Sequence, residues 1–234
     1  MFKQPHKCPA SWKLVSLFPS RDSGVILKAG SGGTPSTAQD DLWDGEIPWL
    51  TPKEVTKFRD NLYVSETERT ITQKGLQNSA ASLLAPGTVM LTKRAPVGAV
   101  AINAIPMTTN QGFLNFACGP LLRPLFLAFW LRLNVDYLQQ IANGSTYLEL
   151  YQNDLHDVHL SLPPIDVQDG ILHAAKSLQF LCLLAEAEQQ LSDNVERLRD
   201  LQGRTARLRQ RKDYLLRKLF LGEIVPAELK RQIA

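Results

Sequence analysis

Residues 180–219, FLCLLAEAEQQLSDNVERLRDLQGRTARLRQRKDYLLRKL, set apolar side chains on a ladder whose steps alternate between four and three residues. Its rungs are Phe180, Leu184, Ala187, Leu191, Asn194, Leu198, Leu201, Thr205, Leu208, Lys212, Leu215 and Leu219, and nine of the twelve are apolar. A helix with that pattern carries one continuous apolar seam, as coiled coils do. At 1.5 Å per residue the segment predicts a rod of about 60 Å, longer than the rest of the chain can cover, so the seam requires a partner helix. No second segment matches it in length and pattern, which points to another copy of the chain or to a different protein. Reflecting the ladder about its midpoint favours an antiparallel pair: Asn194 then meets Thr205 and Phe180 meets Leu219, whereas a parallel pair stacks Lys212 on Lys212. Gly203 costs about 1 kcal/mol relative to alanine and weakens the helix without ending it.

Just ahead of the rod, Leu162-Pro163-Pro164 interrupts the chain and Asp166 is placed to cap the helix. The predicted organisation is a head over 1–165, a rod over 166–221 and a tail over 222–234. With 234 residues and 44% hydrophobic content the chain can bury one sizeable core. The net charge of +3 is unevenly spread. Residues 196–218 hold nine Lys or Arg against three Asp or Glu, so the basic stripe faces nucleic acid, a partner protein or water. Three scattered cysteines, Cys8, Cys118 and Cys182, form no CxxC and no metal pattern with the histidines, which suits a reducing compartment. With no run of 18 apolar residues, the expectation is a soluble cytoplasmic protein with no membrane partner.

The head reads as short strands and loops. Gly87-Thr88-Val89-Met90-Leu91-Thr92 and Val97-Gly98-Ala99-Val100-Ala101-Ile102 predict a hairpin turning through Lys93-Arg94-Ala95-Pro96. Thr51-Pro52-Lys53-Glu54 predicts a capped helical start. A longer helix is predicted from Pro124 to the Asn143-Gly144 stop, with Phe126, Phe129, Trp130, Leu133, Tyr137 and Ile141 on its core face. The fold class expected is therefore α+β, a globular mixed domain followed by one long coiled-coil helix.

No catalytic constellation is present in the sequence: no GxxxxGK[ST], no GxGxxG, no HExxH, no Cys and His cluster. Asp40, Asp41 and Asp44 are adjacent carboxylates of a polar loop, read as turn formers and not as a metal site. What remains is polar and basic chemistry on loops. Ser31-Gly32-Gly33-Thr34 offers backbone amides to a phosphate; Lys93 and Arg94, Thr108-Thr109-Asn110-Gln111, and Asn143-Gly144-Ser145-Thr146 offer side chains that read base edges. Polar loops of this kind suit a protein partner as well.

Taken in order, Gly32-Gly33-Thr34-Pro35-Ser36, Trp43-Asp44-Gly45-Glu46-Ile47-Pro48-Trp49-Leu50-Thr51-Pro52-Lys53-Glu54, Pro86-Gly87-Thr88-Val89-Met90-Leu91-Thr92-Lys93-Arg94, Asn110-Gln111-Gly112-Phe113, Gly144-Ser145-Thr146 and the closing Leu215-Leu216-Arg217-Lys218-Leu219-Phe220 resemble the specificity subunit of type I restriction-modification systems. That resemblance implies a target-recognition domain gripping one half of a split DNA sequence, and a helical region that docks methyltransferase subunits. It implies no catalysis and no cofactor in this chain: partner subunits bind S-adenosylmethionine and methylate adenine, and a motor-nuclease subunit cuts unmodified DNA. The DNA contacts it suggests are Gly33, Thr34, Lys53, Thr92, Lys93, Arg94, Asn110, Gln111, Ser145 and Thr146. Family members usually carry two recognition domains and two helical regions, whereas this chain has one of each. A half subunit of that kind is expected to form a homodimer and read a gapped palindrome. The competing expectation is a coiled-coil scaffold whose head binds a protein.

Overall fold

The computed structural model describes residues 9, 11–20, 23–57, 61–94, 96–142, 149–190, 195–224 and 226, with the side chains of 179–190 and 195–202 outside that description. The chain divides into two units, Leu14–Leu162 and a second made of Met1–Lys13 with Pro163–Ala234.

Among the described residues up to Leu162, these strands and short α-helices follow one another: β1 (Lys13–Ser16), β2 (Ile26–Gly30), β3 (Trp43–Leu50), α1 (Pro52–Val55), β4 (Tyr63–Val64), β5 (Arg69–Ile71), α2 (Gln73–Gln77), β6 (Val89–Thr92), β7 (Val100–Asn103), β8 (Thr108–Thr109), β9 (Phe113–Cys118), α3 (Pro124–Leu133), α4 (Val135–Ile141) and β10 (His159–Leu162). A five-stranded sheet runs β2-β9-β6-β7-β4, a three-stranded sheet β5-β3-β8, and β1 pairs with β10. The predicted hairpin is its centre: Val89 faces Ile102 on one side and Phe116 on the other. Every residue of β6 and β7 is buried, as expected of strands covered on both faces. Helix α3 lies over β6 and β7. On the other side Leu50, Val55, Met90, Ala101, Met107 and Phe113 form one apolar cluster joining the two sheets.

The helix predicted from Pro124 breaks at Asn134, whose side-chain amide donates to the Trp130 carbonyl at 2.8 Å in competition with the helical ladder. Phe126 and Trp130 are buried as expected, together with Leu127, Ala128 and Leu131 of α3 and Leu138 of α4, while Phe129, Leu133, Tyr137 and Ile141 are only half-buried.

The second unit corrects the single rod over 166–221. Its described residues include the long helices α5 (Ile165–Gln190) and α6 (Val195–Phe220), which pack against each other. Two 26-residue stretches of one straight helix would meet only at their junction, because each residue advances the axis by 1.5 Å. Ile171, Leu172, Ala174, Ala175 and Leu178 are buried on α5, and Thr205, Leu215, Leu216, Leu219 and Phe220 on α6. Leu208, a predicted rung, is 39% exposed. Lys212 is half-buried, and the remaining rungs, Phe180, Leu184, Ala187, Leu191, Asn194, Leu198 and Leu201, lie outside the described side chains. Gln168 at the start of α5 is fully buried and donates to the Pro163 carbonyl at 2.9 Å. Among the described residues no helix is long and apolar enough to cross a membrane.

Candidate nucleic-acid interface

Beyond β2 the chain enters the loop 31–36, which two tryptophans hold from beneath. Trp49 donates its indole N–H to the Gly33 carbonyl at 2.8 Å and Trp43 donates to the Ser36 carbonyl at 3.0 Å. The two rings meet edge to face at 5.0 Å, and the Arg69 guanidinium lies 3.6 Å over Trp43, a favourable stacking geometry. Both tryptophans come from β3, whose pairing with β5 shifts register between Trp43 and Ile47. Asp44 takes the left-handed conformation at φ 56° within that irregularity, where a short polar side chain is tolerated. The same loop is pressed from the sides. The Gly33 N–H donates to the Thr109 carbonyl at 2.9 Å, and a Cβ on Gly33 would lie 2.3 Å from the Ala80 carbonyl carbon.

Thr34 and Gln111 meet on this surface, the Thr34 hydroxyl donating to Gln111 Oε1 at 2.5 Å, and both are exposed. Asn110 turns the adjacent corner: its Oδ1 accepts from the Gly112 N–H at 2.8 Å, which commits one side of its amide to the turn. The Lys93 N–H donates to the Gly112 carbonyl at 2.9 Å, bringing the β6–β7 turn alongside. Gly112 also packs against the ring of Pro52, so exposed Lys53 at the start of α1 borders the same surface. That helix start is anchored by Glu54, which is 4% exposed. Its carboxylate accepts from the Thr51 N–H at 2.8 Å, the Thr51 hydroxyl at 2.6 Å and the Glu68 N–H at 2.7 Å. The capping pair predicted from Thr51 and Glu54 therefore forms, with the threonine hydroxyl donating to the carboxylate.

Lys93 and Arg94 share one carboxylate. Lys93 Nζ is 2.9 Å from Glu149 Oε1, and Arg94 Nη1 is 3.8 Å from Glu149 Oε2. The hydrogen bond from Lys93, helped by the positive charges of Lys93 and Arg94, holds the Glu149 carboxyl below its ordinary value against the opposing effect of burial. Lys93 is almost enclosed at 12% side-chain exposure, while Arg94 is 39% exposed. Thr92 is corrected from a DNA contact to a structural residue. It is wholly buried, its hydroxyl donates to the Pro96 carbonyl at 2.6 Å and accepts from the Ala99 N–H at 2.9 Å. Gly98 closes that turn at φ 112°, a conformation that glycine adopts without steric cost. Ser145 and Thr146 lie outside the described residues.

The structure thus brings the segments carrying Thr34, Lys53, Arg94, Asn110 and Gln111 together, whereas Gly33 is buried with its N–H on the Thr109 carbonyl and Lys93 is enclosed against Glu149, so neither is presented as a DNA contact. An exposed guanidinium, an amide, a hydroxyl and an ammonium together can contact phosphates and base edges. No local sequence pattern marks Arg69 or Glu149. Arg69 was detectable only as the strand partner of Trp49, and Glu149 only as a lone acid near an exposed aromatic. Among the described residues no group of three His, Cys, Asp or Glu is arranged to hold a metal.

The chain thus carries a unit of small mixed sheets with polar and basic loops, followed in sequence by two long helices. Residues 23–196 match the type I restriction modification DNA specificity domain, and the chain belongs to that family, whose members are non-catalytic recognition subunits. It is 34% identical over 194 residues to the specificity subunit of the type I restriction enzyme MjaIX of Methanocaldococcus jannaschii, a match covering 82% of this chain and 43% of that protein. Its fold is similar to the HsdS subunit of Thermoanaerobacter tengcongensis, with a TM-score of 0.50 at 18% identity over 93% of this chain and 47% of that one. It also resembles a chain from a study of complex assembly in the type I R-M system, with a TM-score of 0.54 at 19% identity over 93% of this chain and 48% of that one. The chain therefore spans somewhat less than half the length of these relatives.

Proposed function

We propose that this chain is the DNA sequence-specificity component of a type I restriction-modification system, reading one half of a bipartite duplex target through the loop surface of its first unit. The observation that supports the reading is that the segments of Thr34, Lys53, Arg94 and Gln111 lie side by side in a specificity domain: Thr34 bonds Gln111, the Gly112 carbonyl takes the Lys93 N–H, and Pro52 lies beside Gly112. In this reading exposed Lys53 contacts phosphate, and Arg94 and Gln111 address base edges. The chain has one recognition unit and one helical unit, and its length is under half that of its relatives. In this reading two copies of the recognition unit complete the target, and a two-fold pair would read a gapped palindrome. Adenine methyltransferase subunits, binding S-adenosylmethionine themselves, and a motor-nuclease subunit supply the chemistry.

Coexpression with the methyltransferase subunits of the same system, followed by mapping of methylated adenines across the host genome, tests this. A symmetric gapped motif is expected. An asymmetric motif would remove the homodimer and keep the targeting role. No motif from an assembled complex would overturn the proposal in favour of a scaffold that binds protein.

A further inference from the structure

A carboxylate inside a surface that receives a polyanion is electrostatically unfavourable unless neighbouring cations compensate it. Glu149 is such a carboxylate. Its backbone position is fixed, because the next residue, Leu150, donates its N–H to the Lys93 carbonyl at 2.9 Å. Its Oε1 takes the Lys93 ammonium at 2.9 Å, and that ammonium also lies 5.8 Å over the Tyr151 ring. Lys93, enclosed in this way, is not presented to solvent as a phosphate contact. Arg94 is different: it is 39% exposed, and only Nη1 approaches the carboxylate, at 3.8 Å. A guanidinium has five N–H donors in a rigid fork, so the edge turned away from Glu149 keeps its donors for a base.

We propose that Glu149 is a positioning residue for DNA recognition, withholding Lys93 from the phosphates and fixing the direction of Arg94, so that the surface gains discrimination at the expense of general affinity. This deepens the proposed function and rests on it. A freely rotating Arg94 would find phosphates in any sequence, whereas a directed one meets the groove at one base pair. Releasing both cations adds sequence-independent contacts, each of which steepens the salt dependence of binding by about 0.9.

The test uses the full chain assembled with its methyltransferase subunits. The duplexes are one carrying the motif that the wild-type complex methylates, its single-base variants, and one without the motif, each titrated at several salt concentrations. Glu149→Gln keeps the size and removes the charge. It is expected to bind the duplex without the motif severalfold more tightly, to steepen the salt slope by about 0.9 to 1.8, and to lose about tenfold or more of its discrimination at one base pair. Arg94→Ala should lose discrimination at that same base pair. A parallel loss on every duplex with a lowered melting temperature would make Glu149 merely structural and overturn the proposal. So would unchanged slope and discrimination, or an exchange of one preferred base for another, which would mark a direct base contact. A wild-type complex that prefers no motif would overturn the functional reading and this inference together; a wild-type preference that Glu149→Gln leaves untouched overturns the inference alone.

Discussion

Replacing Gly33 with alanine adds one methyl group where the structure has no room for it. The new Cβ would sit 2.3 Å from the Ala80 carbonyl carbon and 2.4 Å from the Ala81 nitrogen, both backbone atoms that no side-chain rotation can clear. One of the two segments must move by nearly an ångström. Overpacking of this kind costs about 1–3 kcal/mol. Movement of residue 33 also weakens the Gly33 N–H bond to the Thr109 carbonyl and the Trp49 indole bond to the Gly33 carbonyl, each contributing about 1 kcal/mol. The expected loss is about 3 kcal/mol, which lowers the melting temperature by about 6–12 °C for a domain of this size. Gly30→Ala is the matched control, since nothing lies within 4 Å of a Cβ there; it should be neutral or slightly stabilising. Thermal denaturation of both variants, with duplex binding measured at a temperature where both remain folded, checks the argument. If Gly33→Ala melts with the wild type and binds equally well, the loop is not clamped between residues 80–81 and 109, and the account of the surface collapses.

Trp49→Phe keeps most of the ring and removes the donor to the Gly33 carbonyl; it should lower stability in urea by about 1–2 kcal/mol, and no change would show that packing alone holds the loop. Glu54→Gln turns one acceptor of a three-bonded buried carboxylate into a donor facing an N–H or hydroxyl. A loss of about 2 kcal/mol or more in the same assay is expected, and a neutral result would remove Glu54 as the anchor of residues 51 and 68. Glu149 releases its proton more readily in the folded chain than in the unfolded one. Its ion pair therefore contributes fully above the ordinary value of 4.5 and is lost as pH falls below it. Stability differences between wild type and Glu149→Gln should shrink on acidification below that point, and a difference that persists would assign the effect to shape.

Local chemistry carried the legible part of the fold. Thr51-Pro52-Lys53-Glu54 announces a helix start because its own side chains satisfy its own backbone, and the Val89–Thr92 and Val100–Asn103 pair is visible because Gly and Pro mark the turn between them. The break at Asn134 was hidden because the same side chain is neutral on a helix surface and disruptive when it turns back to a carbonyl. The ladder from Phe180 to Leu219 falls in two helices, α5 and α6, that lie side by side, a turn-back that its spacing does not encode. A 4-and-3 ladder specifies the partner's shape and is silent on which chain supplies it. The site was legible in its segments and not in its pairings. Lys93 and Glu149 meet across 56 residues of sequence, and no periodicity encodes that meeting. Thr92, beside two cations, looked exposed because its neighbours are.

The arrangement separates holding from reading. The groups that fix the loops are inside: the indole N–H of Trp43 and Trp49 on backbone carbonyls, Glu54 on backbone amides, Thr92 across its own turn. With one exception they engage main chain, so they constrain where the loop runs and not which side chains it carries. The groups that face outward, Thr34, Lys53, Arg94 and Gln111, do not bear on the core. A side chain can therefore change on the reading surface without the loop losing its position, since the bonds that place it belong to other residues. The exception is the Thr51 hydroxyl on Glu54, which is a cap and lies beneath the surface. Glu149 is the one residue that does both jobs, gripping Lys93 below and Arg94 at the rim, which is why a single charge removed there should be felt in discrimination before it is felt in stability.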